Sequence, residues 1–202
     1  DTPVAAKNSE GFIQKAKPGK TFNSKATVLW SDDMSDSSRW MVTNAPTGTP
    51  AHTCCDWAWS DDINASPRPE FVPFGHTTVA NGYMMINSDA AGGSATQNAT
   101  TYCVDTMDLT GEPAINMLFE QATRKYAEQY FVVYSTDAGA TWNEVEVNTT
   151  WGTNTNSSNP ETVQVNLSAE IGGQDSVMIG FKYVGQWDWF WAVDDVSIST
   201  PD

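Results

Sequence analysis

The sequence of 202 residues is strongly acidic, because 25 Asp and Glu outnumber 10 Lys and Arg and give a formal net charge of −15. This charge excludes a nucleic-acid-binding protein, which needs a basic surface to contact phosphates, and it opposes contact with an anionic membrane. The longest uninterrupted apolar runs contain five residues. A membrane-spanning helix needs about 20 apolar residues, so we expect no membrane insertion.

The basic residues are concentrated at the start of the sequence, where half of them lie within the first 25 positions. This segment lacks hydrophobic periodicity, so we predict a basic leader or linker over residues 1–25 and an acidic domain over residues 26–202. Docking of the leader on a neighbouring copy would build a homo-oligomer. The chain begins at Asp1 without a basic-then-apolar signal peptide, so we expect a processed protein that is secreted or held at the cell surface; an expression fragment would look the same.

From residue 27 onward, short runs of β-branched and aromatic residues are separated by Gly, Asn, Asp and Pro, which is typical of strands and turns. The runs predict eleven strands, which are, in chain order, 27–31, 39–43, 77–80, 83–87, 101–107, 114–123, 129–136, 141–147, 161–167, 176–184 and 190–199. No segment carries a helical stripe. The pattern predicts an all-β protein, and we favour a β-sandwich over a barrel because several strands are partly apolar on both faces.

Individual segments support this assignment. In residues 161–167 the two valines and the leucine share one face, as in a half-buried antiparallel strand. Residues 130–134 are continuously apolar, which is typical of a central strand. Residues 137–139, Asp-Ala-Gly, then predict a hairpin turn in which glycine supplies a positive φ. Two stretches, 44–76 and 148–160, are long and irregular, and loops of such length are either functional or flexible.

The three cysteines are too few for a disulfide scaffold, and their spacing matches no zinc motif. Because Cys54 and Cys55 are adjacent, we expect at most one of them to pair with Cys103 and leave one free thiol. A strained bond between the two neighbours and three reduced, buried thiols are the alternatives.

Two motifs, YSTDAGATW at 134–142 and WAVDDVSI at 191–198, occur in an order and separation that resemble a known family. The chain is similar to the MAM-like, cleaved-adhesin (gingipain haemagglutinin-type) domains of secreted Bacteroidetes proteins. The resemblance spans roughly residues 27–199 and implies a jelly-roll β-sandwich of two antiparallel sheets. It also implies adhesion rather than catalysis, and a structural calcium ion held by acids after the first strand and by the Asp-Asp pair of the last strand. Those acids are Asp32, Asp33, Asp194 and Asp195 in this sequence.

Calcium takes about 6–8 oxygen ligands, mostly carboxylates and carbonyls, and adjacent acids inside a strand are costly unless something neutralises them. Pairing of the first and last strands would bring Asp33 near Asp194. In a regular strand Asp194 and Asp195 point to opposite faces, so only one of them would be a side-chain ligand. Asn87 and Asp89 are further candidate ligands. In the alternative interpretation, these acids face water or cap turns.

Aromatic residues beside polar ones suggest a carbohydrate surface, because flat indole rings stack on sugar C–H faces while polar groups bind hydroxyls. Trp57 and Trp59 in the first long loop, and Trp187 with Asp188 near the last strand, are the candidate ligand-binding residues. The alternative is that tryptophans form the core, which we expect for Trp189 and Trp191.

An enzyme is disfavoured, because the only histidines, His52 and His76, sit in no HExxH motif and no GxSxG motif is present. We therefore predict a secreted, non-catalytic, calcium-stabilised adhesin-type module that attaches to a surface, a glycan or a protein. A carbohydrate-binding module of a polysaccharide-degrading enzyme and a structural subunit of an extracellular assembly are the alternatives.

Overall fold

The computed structural model describes residues 25–44, 56–94 and 96–201. The predicted leader, and with it the predicted oligomer contact, lies outside these residues except for Lys25. Eleven strands are present: β1 (Val28–Asp32), β2 (Trp40–Asn44), β3 (Trp57–Ser60), β4 (Tyr83–Asn87), β5 (Gln97–Cys103), β6 (Asn116–Thr123), β7 (Gln129–Ser135), β8 (Asn143–Val147), β9 (Glu161–Asn166), β10 (Met178–Gly185) and β11 (Phe190–Ser199). The described residues also contain one turn of α-helix before β10, α1 (Ser168–Ile171), and 3-10 turns at Ser37–Arg39, Pro69–Phe71 and Ser88–Ser94.

The strands form two antiparallel sheets. The six-stranded sheet has the order β3-β4-β11-β6-β9, with β1 also paired to β11, and the five-stranded sheet has the order β2-β5-β10-β7-β8. Strands from β4 to β11 cross repeatedly between the sheets, which is the connectivity of a jelly roll. The predicted all-β jelly-roll sandwich is therefore confirmed. Within the described ranges, no helix has the length and apolar character needed to cross a membrane.

The core between the sheets is centred on aromatic rings. Phe181 of β10 lies 4.9 Å from Phe119 and 5.5 Å from Trp191 between ring centroids, and it also contacts Trp40 and Trp57. Edge-to-face contacts of this kind stabilise beyond the area that they bury. Trp191 is fully buried, as the sequence predicts.

A second, smaller hydrophobic cluster lies on the outer face of the six-stranded sheet. Phe71 and Phe74, from the segment after β3, pack against Phe190 at centroid distances of 5.2 and 5.9 Å. The other buried members of the cluster are Tyr83, Ala122 and Ala192. The long irregular segment is therefore partly a cover for this sheet. Burial of Phe71 and Phe74 holds the residues that follow, 77–81, against β6 and β11.

Ten of the eleven predicted strands correspond to observed ones, although β5 begins four residues earlier than predicted. Residues 77–80 form turns instead of a strand, because Val79 and Asn81 donate backbone hydrogen bonds to His76 and Thr78 rather than to a ladder. The strand that the sequence pattern missed is β3, which lies inside the segment predicted to be irregular.

Candidate functional site

Four carboxylates gather near the middle of β11, and we call them the acid cluster: Asp33, Glu120, Asp194 and Asp195. Asp33 directly follows β1, and Asp194 of β11 is paired with Glu120 of β6. Burial raises the pKa values of Asp194 and Asp195, and repulsion from the neighbouring acids of the cluster adds to both shifts. The prediction that Asp33 approaches Asp194 is consistent with this arrangement.

The local path of β11 explains why both aspartates join the cluster. Along one edge, β4 pairs with residues 190–193 and β1 pairs with residues 196–199, so the two aspartates between them lack a strand partner on that edge. The register to β6 also shifts there, and Asp195 has a φ of 50°. Such a bulge redirects side chains, so the alternation of a regular strand does not apply to Asp194 and Asp195.

The turn formed by residues 77–81 fills this gap and supplies neutral donors. Thr77 donates from its N–H and its hydroxyl to Glu120, both at 2.6 Å. Thr78 does the same to Asp195, at 3.0 and 2.9 Å. These bonds hold the acids in place without neutralising their charge.

Asp194 has the least compensated charge of the four. It is fully buried, and its Oδ2 has no hydrogen-bond partner. Burial, followed by repulsion from Asp195, Glu120 and Asp33, raises the pKa of Asp194 to about 8. None of the ion pairs between described residues includes a member of the acid cluster. A buried carboxylate in this setting requires either a proton or a cation.

The four carboxylates of the acid cluster do not converge on a single point. Among the described residues, no group of three or more His, Cys, Asp or Glu side chains converges closely enough to hold a metal ion. The donor chemistry nevertheless suits calcium, because it consists of carboxylate oxygens without nitrogen or sulfur.

The other predicted metal ligands lie elsewhere. The buried Asp32 carboxylate forms an ion pair with Arg39 and accepts from the N–H of Met34 at 2.6 Å, so its oxygens are already engaged by the protein. Asn87 and Asp89 lie towards the opposite end of β4, since Asn87 pairs with Phe190, whereas Met84 pairs with Val193 beside the cluster. Three strand positions separate those pairs by about 10 Å.

A second candidate site is the tryptophan loop, residues 186–189, between β10 and β11. Trp187 is 63% exposed and has a φ of 59°, and Trp189 has a φ of 57°. Bulky residues rarely adopt this left-handed conformation, and it persists only where surrounding structure enforces it. The exposed ring of Trp187 therefore belongs to a constrained loop.

Asp188 supplies that constraint from inside the loop. It is buried; its carboxylate accepts from the Gln186 N–H at 2.6 Å and its own N–H donates to the Ser88 hydroxyl at 3.0 Å. Its carbonyl oxygen accepts from the Tyr183 hydroxyl. Asp188 thus positions Trp187 and is itself inaccessible to a ligand, which differs from its predicted role.

The loop borders a groove of about 450 Å³, which we call the loop groove, lined by Asp89, Tyr126, Trp187 and Trp189. The Trp189 ring, predicted to be in the core, instead lies half-buried at the surface because it precedes β11. The guanidinium groups of Arg68 and Arg124 lie 4.2 and 4.7 Å from its ring centroid. Such cation–π contacts fix the ring as a wall of the groove.

Trp57 and Trp59 do not reach this surface. Trp57 is 4% exposed within the core and donates from Nε1 to the Ala99 carbonyl at 3.0 Å. Trp59 is half-buried and donates to the Met34 carbonyl at 2.7 Å. Both residues belong to β3, whereas the sequence pattern predicted that they lie in a loop. Their rings contribute to packing rather than to ligand binding.

The remaining candidates are accounted for as follows. Cys103 is buried, whereas Cys54 and Cys55 lie outside the described residues, so the disulfide stays a prediction. His76 is buried against Phe74, and burial lowers its pKa to about 4, so its ring is neutral at pH 7.

Sequence reasoning missed Glu120 in the acid cluster and Tyr126 in the loop groove. Tyr126 is 49% exposed beside the charged turn after β6, and an exposed aromatic residue there was the available signal. For Glu120 the only signal was an acid in a strand paired with the Asp-Asp strand, and that pairing was not apparent before the sheet order was known.

No protein-family model matches the sequence, and a comparison with curated proteins finds no match. Among solved structures, the K1 cleaved adhesin domain of Lys-gingipain (Kgp) from Porphyromonas gingivalis W83 is 15% identical, with 88% of this chain and 99% of that chain covered and a TM-score of 0.53. The K3 domain of the same protein is 15% identical, with coverages of 85% and 98% and a TM-score of 0.50. A carbohydrate-binding module with specific mannan recognition, TmCBM27, is 13% identical, with coverages of 88% and 99% and a TM-score of 0.46. The predicted resemblance is confirmed at the level of the fold: the chain shares the β-sandwich of the cleaved adhesin domains.

Proposed function

We propose that this domain is a secreted, non-catalytic binding module of the adhesin type, and that its ligand is a glycan held at the loop groove. The observation that carries the proposal is the pair of exposed aromatic side chains, Trp187 and Tyr126, on a groove whose polar group is Asp89. Ligand sites typically combine aromatic walls with a few placed polar groups. The rings of Trp187 and Tyr126 would stack on the C–H faces of a sugar, and the Asp89 carboxylate would accept hydrogen bonds from its hydroxyl groups.

The rigidity of the tryptophan loop supports this role. Trp187 and Trp189 both hold left-handed backbone conformations, and Asp188 ties the loop to β10 and to Ser88. A binding surface that is already ordered loses less conformational entropy when a ligand binds. The left-handed backbone at Trp187 therefore fits a loop that presents this ring to solvent.

The experiment is a glycan array probed with the labelled domain and three variants. Trp187→Ala and Tyr126→Ala should each abolish the signal on the glycans that the wild type binds. Val72→Ala, which shortens another exposed apolar side chain, should keep the signal and serves as the matched control. A wild-type array without any bound glycan, or a Trp187→Ala variant that binds as the wild type does, would overturn the proposal.

The same surface would serve a carbohydrate-binding module attached to a polysaccharide-degrading enzyme, which is the second candidate function. The glycans bound on the array separate the two. Host-type glycans favour an adhesin, and plant or microbial polysaccharide fragments favour the carbohydrate-binding module.

We also propose that a structural calcium ion neutralises the acid cluster. The fit rests on the unpartnered, fully buried Oδ2 of Asp194. Asp33, Glu120, Asp194 and Asp195 would hold the ion through carboxylate oxygens, after a small closure of the cluster. The ion would supply positive charge and link β1, β6 and β11, and it would take no part in chemistry.

A further inference from the structure

A second groove crosses the outer face of the five-stranded sheet, on the opposite side of the sandwich from the acid cluster. We call it the sheet groove. Its volume is about 480 Å³, which falls in the range of about 300–1,000 Å³ that is typical of ligand sites. It is lined by residues from all five strands of the sheet and from the turn before β8: Thr43, Asn98, Thr100, Tyr102, Val133, Trp142, Asn143, Glu144 and Lys182.

The central strand of the sheet has a glycine between two residues that line the sheet groove. Gly180 of β10 pairs with Tyr102 on one side and with Val133 on the other. A Cβ atom at Gly180 would lie 2.2 Å from the Thr101 carbonyl oxygen and 2.7 Å from the Tyr102 Cα, so no other residue fits there. Glycine at this position therefore permits the close approach of β10 to β5.

One end of the sheet groove is aromatic. The rings of Tyr102 and Trp142 lie 4.9 Å apart between centroids, and both side chains are half-buried. The indole Nε1 of Trp142 donates to the Gly139 carbonyl at 3.2 Å, which fixes the ring relative to the hairpin between β7 and β8. The two rings are inclined at 49° to each other, so the pair forms an angled aromatic platform against which a weakly polar surface can pack.

The rest of the lining is polar and without net charge. Lys182 and Glu144 form an ion pair at 2.6 Å, so the charges of the two ionisable side chains of the lining compensate each other. Asn98, Thr100 and Thr43 add amide and hydroxyl groups that can donate and accept hydrogen bonds. A ligand that matches this lining is itself uncharged and rich in hydroxyl groups.

The dimensions indicate an extended ligand. Four spacings between neighbouring strands give a width of about 19 Å across the sheet, which exceeds a single sugar ring. From the platform, the neutral polar lining and this length, we infer that the sheet groove binds a segment of an unbranched, neutral oligosaccharide. It does so independently of the loop groove, and the inference extends the proposed glycan-binding function to a second surface.

Titration calorimetry tests this inference with the wild-type domain and three hexasaccharides: cellohexaose, xylohexaose and mannohexaose. At least one should bind, and Trp142→Ala should weaken its binding about tenfold or more, the expected size for loss of an aromatic anchor. Tyr102→Ala should have the same effect and stands in if Trp142→Ala does not fold. Val72→Ala shortens an exposed apolar side chain that lines neither groove and is the control; it should change this affinity less than about twofold. Trp187→Ala is measured in parallel to detect binding at the loop groove.

The outcomes distinguish the two grooves. If no hexasaccharide binds the wild type, or if folded Trp142→Ala and Tyr102→Ala bind as it does, the inference about the sheet groove is overturned. If Trp187→Ala loses the binding of a hexasaccharide while Trp142→Ala and Tyr102→Ala keep it, the inference about the sheet groove is overturned and the loop groove is supported. The proposal for the loop groove is overturned instead if the glycan array shows no binding that depends on Trp187 while calorimetry shows binding that depends on Trp142.

Discussion

Asp194 and Glu120 lie directly opposite each other on the adjacent strands β11 and β6, although both carry carboxylates. Like charges at paired positions of a sheet destabilise it, and here Asp195 and Asp33 add to the repulsion. The described residues offer no basic partner to these four acids within ion-pair distance. The arrangement is understandable if a cation belongs to the native state.

We expect calcium to stabilise the domain. A ligand that binds only the folded state adds about 2.7 kcal/mol at one hundred times its dissociation constant, so the melting temperature should rise with calcium and fall in chelator. Asp194→Asn should abolish this response and be at least as stable as the wild type in chelator. Asp175→Asn, an acid far from the cluster in the chain, should keep it. Equal melting curves of the wild type in calcium and in chelator would contradict the proposal.

Removal of Arg39 should destabilise the fold. Arg39 forms ion pairs with the buried Asp32 and with Asp105, and its loss leaves a buried carboxylate without its charged partner. We expect Arg39→Met to cost about 1–3 kcal/mol in urea unfolding. Asp105→Asn, which alters the more exposed partner, should cost less. If Asp105→Asn proves the more damaging of the two, the buried pair is not the source of the stability.

Asp188 should control glycan binding without contacting the ligand. Asp188→Ala removes the acceptor for the Gln186 N–H, so Trp187 should lose its fixed position and glycan affinity should fall while its ring remains. Asp188→Asn keeps an acceptor oxygen and should retain more affinity. Binding is measured on glycans that the array identifies, and tryptophan fluorescence reports the loop. Unchanged affinity in Asp188→Ala would show that this hydrogen bond does not position the ring.

The hairpin between β7 and β8 should respond to acid. Hydrogen bonds from the Thr141 side chain, the Thr141 N–H and Ser135 lower the pKa of Asp137 to about 2. Because the folded-state pKa lies below the ordinary value of 3.8, the stabilisation is complete above pH 4 and disappears as the pH falls towards 2. Asp137→Asn should therefore be less stable than the wild type at pH 6 and approach it at pH 2. Parallel stability curves for both proteins across this range would be evidence against the assigned role.

The sequence by itself determined most of the strands, the hairpin at residues 137–139 and the burial of Trp191. These features depend on local patterns: alternation decides which residues share a face, and a glycine permits a positive φ, as at Gly139. The same local logic failed for residues 77–80. There, the hydroxyl and N–H groups of Thr77 and Thr78 donate hydrogen bonds to carboxylates on β6 and β11 instead of pairing with a neighbouring strand.

Only the tertiary structure decided which faces are covered and which distant residues meet. Trp57 and Trp187 are equally plausible surface tryptophans in the sequence, yet β3 places the first against Phe181 and the tryptophan loop leaves the second in solvent. Glu120 reaches Asp194 only because β6 and β11, some 70 residues apart in the chain, are neighbours in the sheet. Alternation defines the faces of a strand, but the order of strands in a sheet and the packing of layers determine what each face contacts.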